Sequence, residues 1–303
     1  MTMLTVATPE EQLARDAFTF DAWGAGLTRE EFMAREQRLR GHAWAAKSLT
    51  TLFWRDARGE VLASCELFSD RASAGTKAGR AVTIASVFTE PRLRGKGGAS
   101  AMLRAVIERL HADSSCLAAT LYSEIGTAMY QRLGFWPVPA FDTFFDADAR
   151  APEGVEWIEG ALPSPRHAPA AADTLRLELS SERLDWHLER ERIYGEALRR
   201  PTLDVHGARA GESTITWTAY WKTNELQVLS FDAKTPEALG LLVRAAQHAA
   251  HRVNLPVVRI WETMALTTLP GARRVERTDE IAMFLPLTPG VQAWTQVERG
   301  LWA

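Results

Sequence analysis

The run Arg94-Gly95-Lys96-Gly97-Gly98-Ala99 stands where a β-branched, apolar stretch, AVTIASVF, gives way to GGASAMLRAVIERLH, an amphipathic helix pattern. A strand that enters a helix through consecutive glycines restricts the fold more than any other feature of the chain. Bare backbone N–H groups and the positive end of a helix dipole meet there, which makes an anion site suited to phosphate. Arg92, Arg94 and Lys96 add positive charge at the same place. A tight turn without ligand is the other common use of such a loop. The run has neither the G-K-[ST] ending of a P-loop nor the G-x-G-x-x-G spacing of a dinucleotide fold.

The neighbouring segments alternate between the two structural periods. Thr8 before Pro9, Glu10 and Glu11 reads as a helix start, and Thr28 with Glu31 as a capping box ahead of a second helix that stops at Gly41. SLTTLFWRD and GEVLASCELF, separated by Ala57-Arg58-Gly59, predict a hairpin, with AVTIASVF as the third antiparallel strand. SCLAATLYS predicts an apolar strand, GTAMYQRLGF a short helix closed by Gly134, and roughly Phe135 to Phe145 the last strand of this unit. The proline-rich text from Asp146 to about Ala172 predicts a linker or wrapping segment. Beyond it come a helix in SSERLDWHLERERIYGEALRR capped by Ser180 or Ser181, a hairpin of TITWTAYW and ELQVLSF around Lys222 to Asn224, the long helix TPEALGLLVRAAQHAAHRV, and the strands LPVVRIWE and EIAMFLPL. The same order of elements in both halves predicts an internal duplication. Where the first half has the glycine loop, the second has DAKTPEA.

At 303 residues the chain is about twice an ordinary domain of roughly 150, which agrees with two units. Lys+Arg 35 against Asp+Glu 38 leaves a net charge of -3 and no electrostatic footprint for general nucleic-acid binding. The two cysteines, Cys65 and Cys116, follow no metal spacing and read as buried free thiols of a reducing compartment. With charges within ten residues of Met1 and no run of about 18 apolar residues, the sequence predicts a cytoplasmic protein without a membrane segment. It leaves the oligomeric state open.

The strand TIASVF, then Thr89-Glu90-Pro91, Arg94-x-x-Gly97-x-Ala99, the strand LAATLYS and Met129-Tyr130-Gln131-Arg132-Leu133-Gly134-Phe135 resemble, in order and spacing, the GCN5-related N-acetyltransferase family over residues 1 to about 145. SVFTEPRLRGKGGASAML and TLYSEIGTAMYQRLGF, joined to WHLERERIYGEAL and a Trp-rich hairpin, further resemble the fungal lysine N-acetyltransferase family, whose two halves are related. The chain departs from the pattern at Ser123, where acetyltransferases often carry Asn.

This resemblance implies an α/β fold with a mixed, largely antiparallel sheet in a catalytic domain over 1–145. A Pro-rich linker over 146–172 and a related domain over 173–303, lacking the phosphate loop and shaping the acceptor side, would follow. It implies acetyl-CoA as cosubstrate, held by backbone at Val87, Phe88 and Thr89, with its pyrophosphate on Arg94, Gly95, Lys96, Gly97, Gly98 and Ala99. Tyr130 falls where the family's tyrosine protonates the departing thiolate; packing beneath the cosubstrate is the other use of such a residue. Glu66 and Glu124 are the candidate bases. The expected reaction is direct acetyl transfer to a primary amine, of free lysine or another small molecule. A protein lysine is the enzymatic alternative, and an acyl-CoA sensor without turnover the alternative from another class.

Two further clusters read as structural. His248 and His251, one helical turn apart, have no accompanying acid or thiol and predict no metal site. Trp217, Tyr220 and Trp221 suit a core or the wall of a substrate site, with the core the commoner use.

Overall fold

The computed structural model describes residues 2–167, 171–263, 266 and 268–303. In chain order the first half carries β1 (Met3–Val6), α1 (Pro9–Trp23), α2 (Arg29–Gly41), α3 (Ala43–Ser48), β2 (Leu49–Arg55), β3 (Val61–Ala74), β4 (Lys77–Phe88), α4 (Gly98–His111), β5 (Cys116–Ser123), α5 (Ala128–Gln131), β6 (Trp136–Pro137) and β7 (Phe141–Asp146). The second carries β8 (Glu156–Trp157), β9 (Thr174–Leu177), α6 (Ser181–Ala197), β10 (Gly207–Ala210), β11 (Ser213–Tyr220), β12 (Glu225–Asp232), α7 (Pro236–Arg252), β13 (Val257–Glu262), β14 (Arg273–Glu276), β15 (Ile281–Pro286) and β16 (Ala293–Trp294), before a 3₁₀ turn at Arg299–Leu301.

Helix starts follow the chemistry written in the chain. The Thr8 and Glu11 backbone amides donate to each other's side chains at 2.9 and 3.3 Å, and Thr28 with Glu31 repeats the arrangement at 2.7 and 3.2 Å. Ser180 caps α6 and Thr235 caps α7. Helix α4 differs: its N-cap is Gly97, at φ +78°, and no side chain closes its first turn. Met102, Leu103, Val106 and Leu110 recur on one face of α4 and are buried against the sheet. At about 1.5–3 kcal/mol per fully buried side chain, that face accounts for roughly 6–12 kcal/mol of burial before conformational entropy is counted.

Among the described residues the strands form two sheets, in the order β1-β2-β3-β4-β5-β15-β6, with β9 and β16 added beside β3, and β14-β7-β13-β12-β11-β10-β8. Pairing is antiparallel except for β4 with β5, β12 with β13 and β9 with β16. The expected closing strand of the first unit is divided: Trp136–Pro137 edges the first sheet, while Phe141–Asp146 pairs with Val257–Glu262 and Arg273–Glu276 in the second. In return β15, expected in the second unit, pairs with β5 in the first sheet. The halves therefore exchange their last strands, and a boundary at 145 falls inside β7. Core residues Ala81, Leu117, Leu177, Leu229, Phe284 and Leu301 come from both sides of it and pack as one cluster.

The proline-rich segment wraps: β8 pairs with β10, and Leu162 is buried. Residues 168–170 of that segment lie outside the described residues. Strands β1, β9, β10, β14 and β16 and helix α3 had no period long enough to be read from sequence.

The parallel pair β4–β5 opens into a wedge. Its register runs from Arg80 opposite Cys116 to Thr83 opposite Thr120 and stops, whereas β4 continues to Phe88 and β5 to Ser123. The equivalent pair in the second half matches only Leu226 with Val258 and Gln227 with Arg259. Beside it the chain's last segment fills the space: a Cβ at Gly300 would lie 2.9 Å from the Leu229 carbonyl oxygen, and Val297 and Leu301 are buried.

Candidate active site

A cleft of about 760 Å³ occupies the first-half wedge and reaches the second half. Its walls include β4 from Thr83 to Phe88, the loop from Arg94 to Ser100, Glu124, Tyr130, and Trp186, Tyr220 and Trp302 of the second half. Every site residue expected from sequence borders this cleft except Lys96.

The floor is built on an irregularity in β4. Opposite β3, Ser64 pairs with Phe88 and Glu66 with Ala85, so β4 carries one extra residue across that interval, and Ser86 adopts φ +51°. Arg15, from α1, holds the bulge: it donates to the Ser86 carbonyl at 2.7 Å, to Ser64 Oγ at 2.9 Å and to Glu66 Oε1 at 3.1 Å. The buried oxygen Thr89 Oγ1, one residue beyond the strand, has no partner among the described residues.

At the cleft's loop end Gly95 and Gly97 have φ of +76° and +78°, and a Cβ at either would meet nothing within 4 Å. The loop is thus left-handed backbone open to a ligand, above a helix whose first N–H groups have no side-chain cap. Of the three cations expected there, Arg94 folds back to donate to the Thr89 carbonyl at 3.1 Å. Arg92 is bound to Glu60 at 2.7 Å and Glu90 at 2.8 Å, which removes it from the anion site.

Tyr130 on α5 is buried beside Phe135, and its hydroxyl makes no hydrogen bond to the described residues. Burial pushes its pKa up to about 12, so it stays protonated at neutral pH. Cys65 is free and likewise pushed up to about 12 by burial, which leaves it without thiolate character.

The two candidate bases differ. Glu66, 5% exposed, is committed to Arg15. Glu124, just past β5, has no hydrogen bond or ion pair with the described residues. Burial raises its pKa first, with Glu280 and Asp279 adding to the rise and Lys222 and Arg299 opposing it. Ser123, in place of the frequent Asn, donates to the Gly126 carbonyl and shapes the turn carrying Glu124.

Sequence reasoning missed most of the second-half wall. Strand alternation separates the aromatic trio: Trp217 and Trp221 enter the second-half core, and Tyr220 faces the cleft. Arg15, Arg35, Arg40, Arg190, Lys222 and Glu280 also border the cleft. His248 packs against Trp157 and contacts the Ala149 carbonyl, and among the described residues no group of three or more His, Cys, Asp or Glu could hold a metal ion. No helix of the described residues is long and apolar enough to cross a membrane.

Residues 12–135 match the acetyltransferase (GNAT) family model, and residues 180–299 match the LYC1 GNAT-like C-terminal domain. The chain is similar to a lysine acetyltransferase of Yarrowia lipolytica, 24% identical over 316 residues that span 82% of this chain and 80% of the relative. Among solved structures it resembles a conserved protein of unknown function from Enterococcus faecalis V583, with TM-score 0.61 and 13% identity over 95% of this chain and 72% of that one. It also resembles a GCN5-related N-acetyltransferase from Kribbella flavida, with TM-score 0.55 and 16% identity over 95% and 72% of the two chains. At such identities these structural likenesses concern the fold.

Proposed function

The chain belongs to the GCN5-related N-acetyltransferase superfamily, in the tandem form of the fungal lysine acetyltransferases, and from that premise we propose that it moves the acetyl group of acetyl-CoA to the primary amine of a small molecule, free lysine foremost. It is an acyltransferase. The observation that carries the finer reading is the joining, in one cleft, of the uncapped glycine loop, the β4 bulge and the hydroxyl of Tyr130, which has no hydrogen-bond partner among the described residues. The name of the Yarrowia lipolytica relative supports a lysine-type acceptor.

The loop fits a pyrophosphate: its two left-handed glycines leave the approach free, and the amides of residues 94–99 with the α4 dipole would take the negative charge. Acetyl-CoA supplies the activated thioester. The chain's backbone from Val87 to Thr89 would align it along the β4 edge, and the Val87 N–H would face the oxyanion that develops on attack. One such donor contributes about 3 kcal/mol.

Glu124 accepts the proton of the incoming ammonium, directly or through water. Its raised pKa brings it closer to working pH, and it is free where Glu66 is held by Arg15. As the new N–C bond forms and the C–S bond breaks, the Tyr130 hydroxyl gives its proton to the departing sulfur, and the proton shed by the newly bonded nitrogen returns through water to the tyrosine oxygen. The high thiol pKa of Cys65 argues against an acetyl-cysteine intermediate and for direct transfer.

On this reading the second half is a wall. Thr235 closes the start of α7 with its own side chain, and the last segment of the chain fills the space where a cosubstrate would lie. The test is incubation with acetyl-CoA and a panel of free amino acids, polyamines, aminoglycosides and a lysine peptide, with mass detection of products. Acetylation of a small amine supports the reading; acetylation of the peptide alone overturns it.

A further inference from the structure

The strand exchange carries an acid of the second half to the candidate base of the first. β15 runs antiparallel to β5, from Pro286 opposite Ala118 to Ile281 opposite Ser123, and one step past that ladder Glu280 stands opposite Glu124. Both border the cleft. Glu280 has φ +47°, left-handed backbone that side chains other than Asn and Asp rarely adopt. Three contacts hold it there. Its N–H donates to Asp279 Oδ1 at 2.8 Å, its carbonyl accepts from Arg277 Nη2 at 2.7 Å, and its carboxylate accepts from Arg299 Nη1 at 2.8 Å. Both guanidinium groups are buried against the Trp261 ring, 3.4 and 4.5 Å from its centroid. A plain counter-ion for Arg299 would need neither left-handed backbone nor a second carboxylate opposite it. Strained backbone kept at the wall of a cleft points to a functional constraint.

We propose that Glu280 is a positioning residue for acetyl transfer: its carboxylate, fixed by Arg299 and Arg277, faces Glu124 and keeps that neighbour ready to accept the proton of the incoming ammonium. This rests on the reading of Glu124 as the base. Glu280 itself exchanges no proton and touches no reacting atom. The surroundings give the two carboxylates different states. Burial works to raise the pKa of Glu280, but Arg299, then Arg277 and Arg259, hold its carboxyl below the ordinary value. Glu124 has no such partner, and its rise comes from burial first, then Glu280, then Asp279. The other charged or titratable groups about Glu124 are Lys222, in the turn after β11, and Arg299, which both oppose the rise, and Tyr130 on α5. Of the two acids that raise it, Asp279 is exposed and Glu280 is clamped in place.

The experiment measures the pH dependence of kcat/KM, with the most active amine of the panel, in the wild type, Glu124→Gln, Glu280→Gln and Glu280→Gly. Melting curves confirm folding. Glycine adopts the left-handed backbone without strain, so its variant keeps the comparison usable if glutamine destabilises the turn. The acid limb of the wild-type profile should flatten in Glu124→Gln, which assigns it to that residue. In both Glu280 variants the limb should move down by at least about half a pH unit, about threefold in proton concentration, because a like charge is gone and Arg299 has lost its partner. Lys222→Met, which removes an opposing charge, should move it up. A limb unmoved in a folded Glu280 variant would reduce Glu280 to a counter-ion for Arg299 and overturn the proposal, whatever the loss of stability. A limb that persists in Glu124→Gln would instead overturn the assignment of the base. Carboxyl ¹³C shifts of the CoA-bound protein read the Glu124 titration without turnover. A midpoint that falls in Glu280→Gly supports the proposal, and one that stays overturns it.

Discussion

Replacing Arg15 by Met removes the three hydrogen bonds that fix the Ser86 bulge and leaves the buried Glu66 carboxylate without its partner. Breaking a buried ion pair from one side costs about 3–5 kcal/mol, because an uncompensated charge remains. Unfolding entropy near roughly 2.1 cal/mol/K per residue gives about 0.6 kcal/mol/K for the 303 residues. The melting temperature of Arg15→Met should therefore fall by roughly 5–8 °C in calorimetry. Adding Glu66→Gln removes the stranded charge, so the double variant should recover at least half of the loss. The bulge also positions Val87 to Thr89, so acetyl-CoA affinity should drop by on the order of tenfold in the single variant even well below its melting point, the worth of one charged hydrogen bond. A melting temperature within a degree of wild type would show that Arg15 does not hold the strand. Strictly additive losses in the double variant would refute the pairing argument.

Gly97→Trp puts a bulky side chain on left-handed backbone where a pyrophosphate must approach, and should weaken acetyl-CoA binding by on the order of 100-fold or more in titration, with the fold kept; undiminished affinity would remove the phosphate assignment. Tyr130→Phe should lower kcat by on the order of 10²-fold with little change in acetyl-CoA affinity, and an unchanged chemical step would reduce Tyr130 to packing. His187 is buried, donates from Nε2 to the Gly300 carbonyl at 3.0 Å as its one hydrogen bond among the described residues, and is held neutral by burial and by Arg183 and Arg299. Its folded pKa lies below the unfolded value of about 6.5, so its contribution is complete above about pH 6.5 and is lost as pH falls below it. Melting temperature should decline from pH 7 to 5, less steeply in His187→Asn; equal slopes would exclude His187.

Long periodic segments could be read from the chain because local chemistry set them. The caps Thr8, Thr28, Ser180 and Thr235 act on their own helices, and the glycine loop needs only its left-handed backbone and the helix it opens. Whether β7 and β15 stay with their own half depends on which sheet edge each meets, and their alternation of apolar residues is the same in either place. Glu66 and Glu124 looked alike in sequence. Arg15, fifty-one positions from Glu66, distinguishes them only after folding. Arg190 sits on a helix whose charged text WHLERERIY has low apolar periodicity; the burial of Arg183, Arg190 and Glu191 comes from packing between the halves.

The central claim is direct transfer within one cleft. A single-turnover experiment, with one equivalent of acetyl-CoA per chain mixed rapidly with excess lysine and then quenched, tests it most directly. Free CoA and acetylated lysine should appear together at one rate, with no acetyl group on the protein at any time and no binding of a second equivalent. An acetylated protein that forms and decays before the product, or acetyl-CoA that stays bound and intact in the presence of lysine and the rest of the amine panel, would contradict the account.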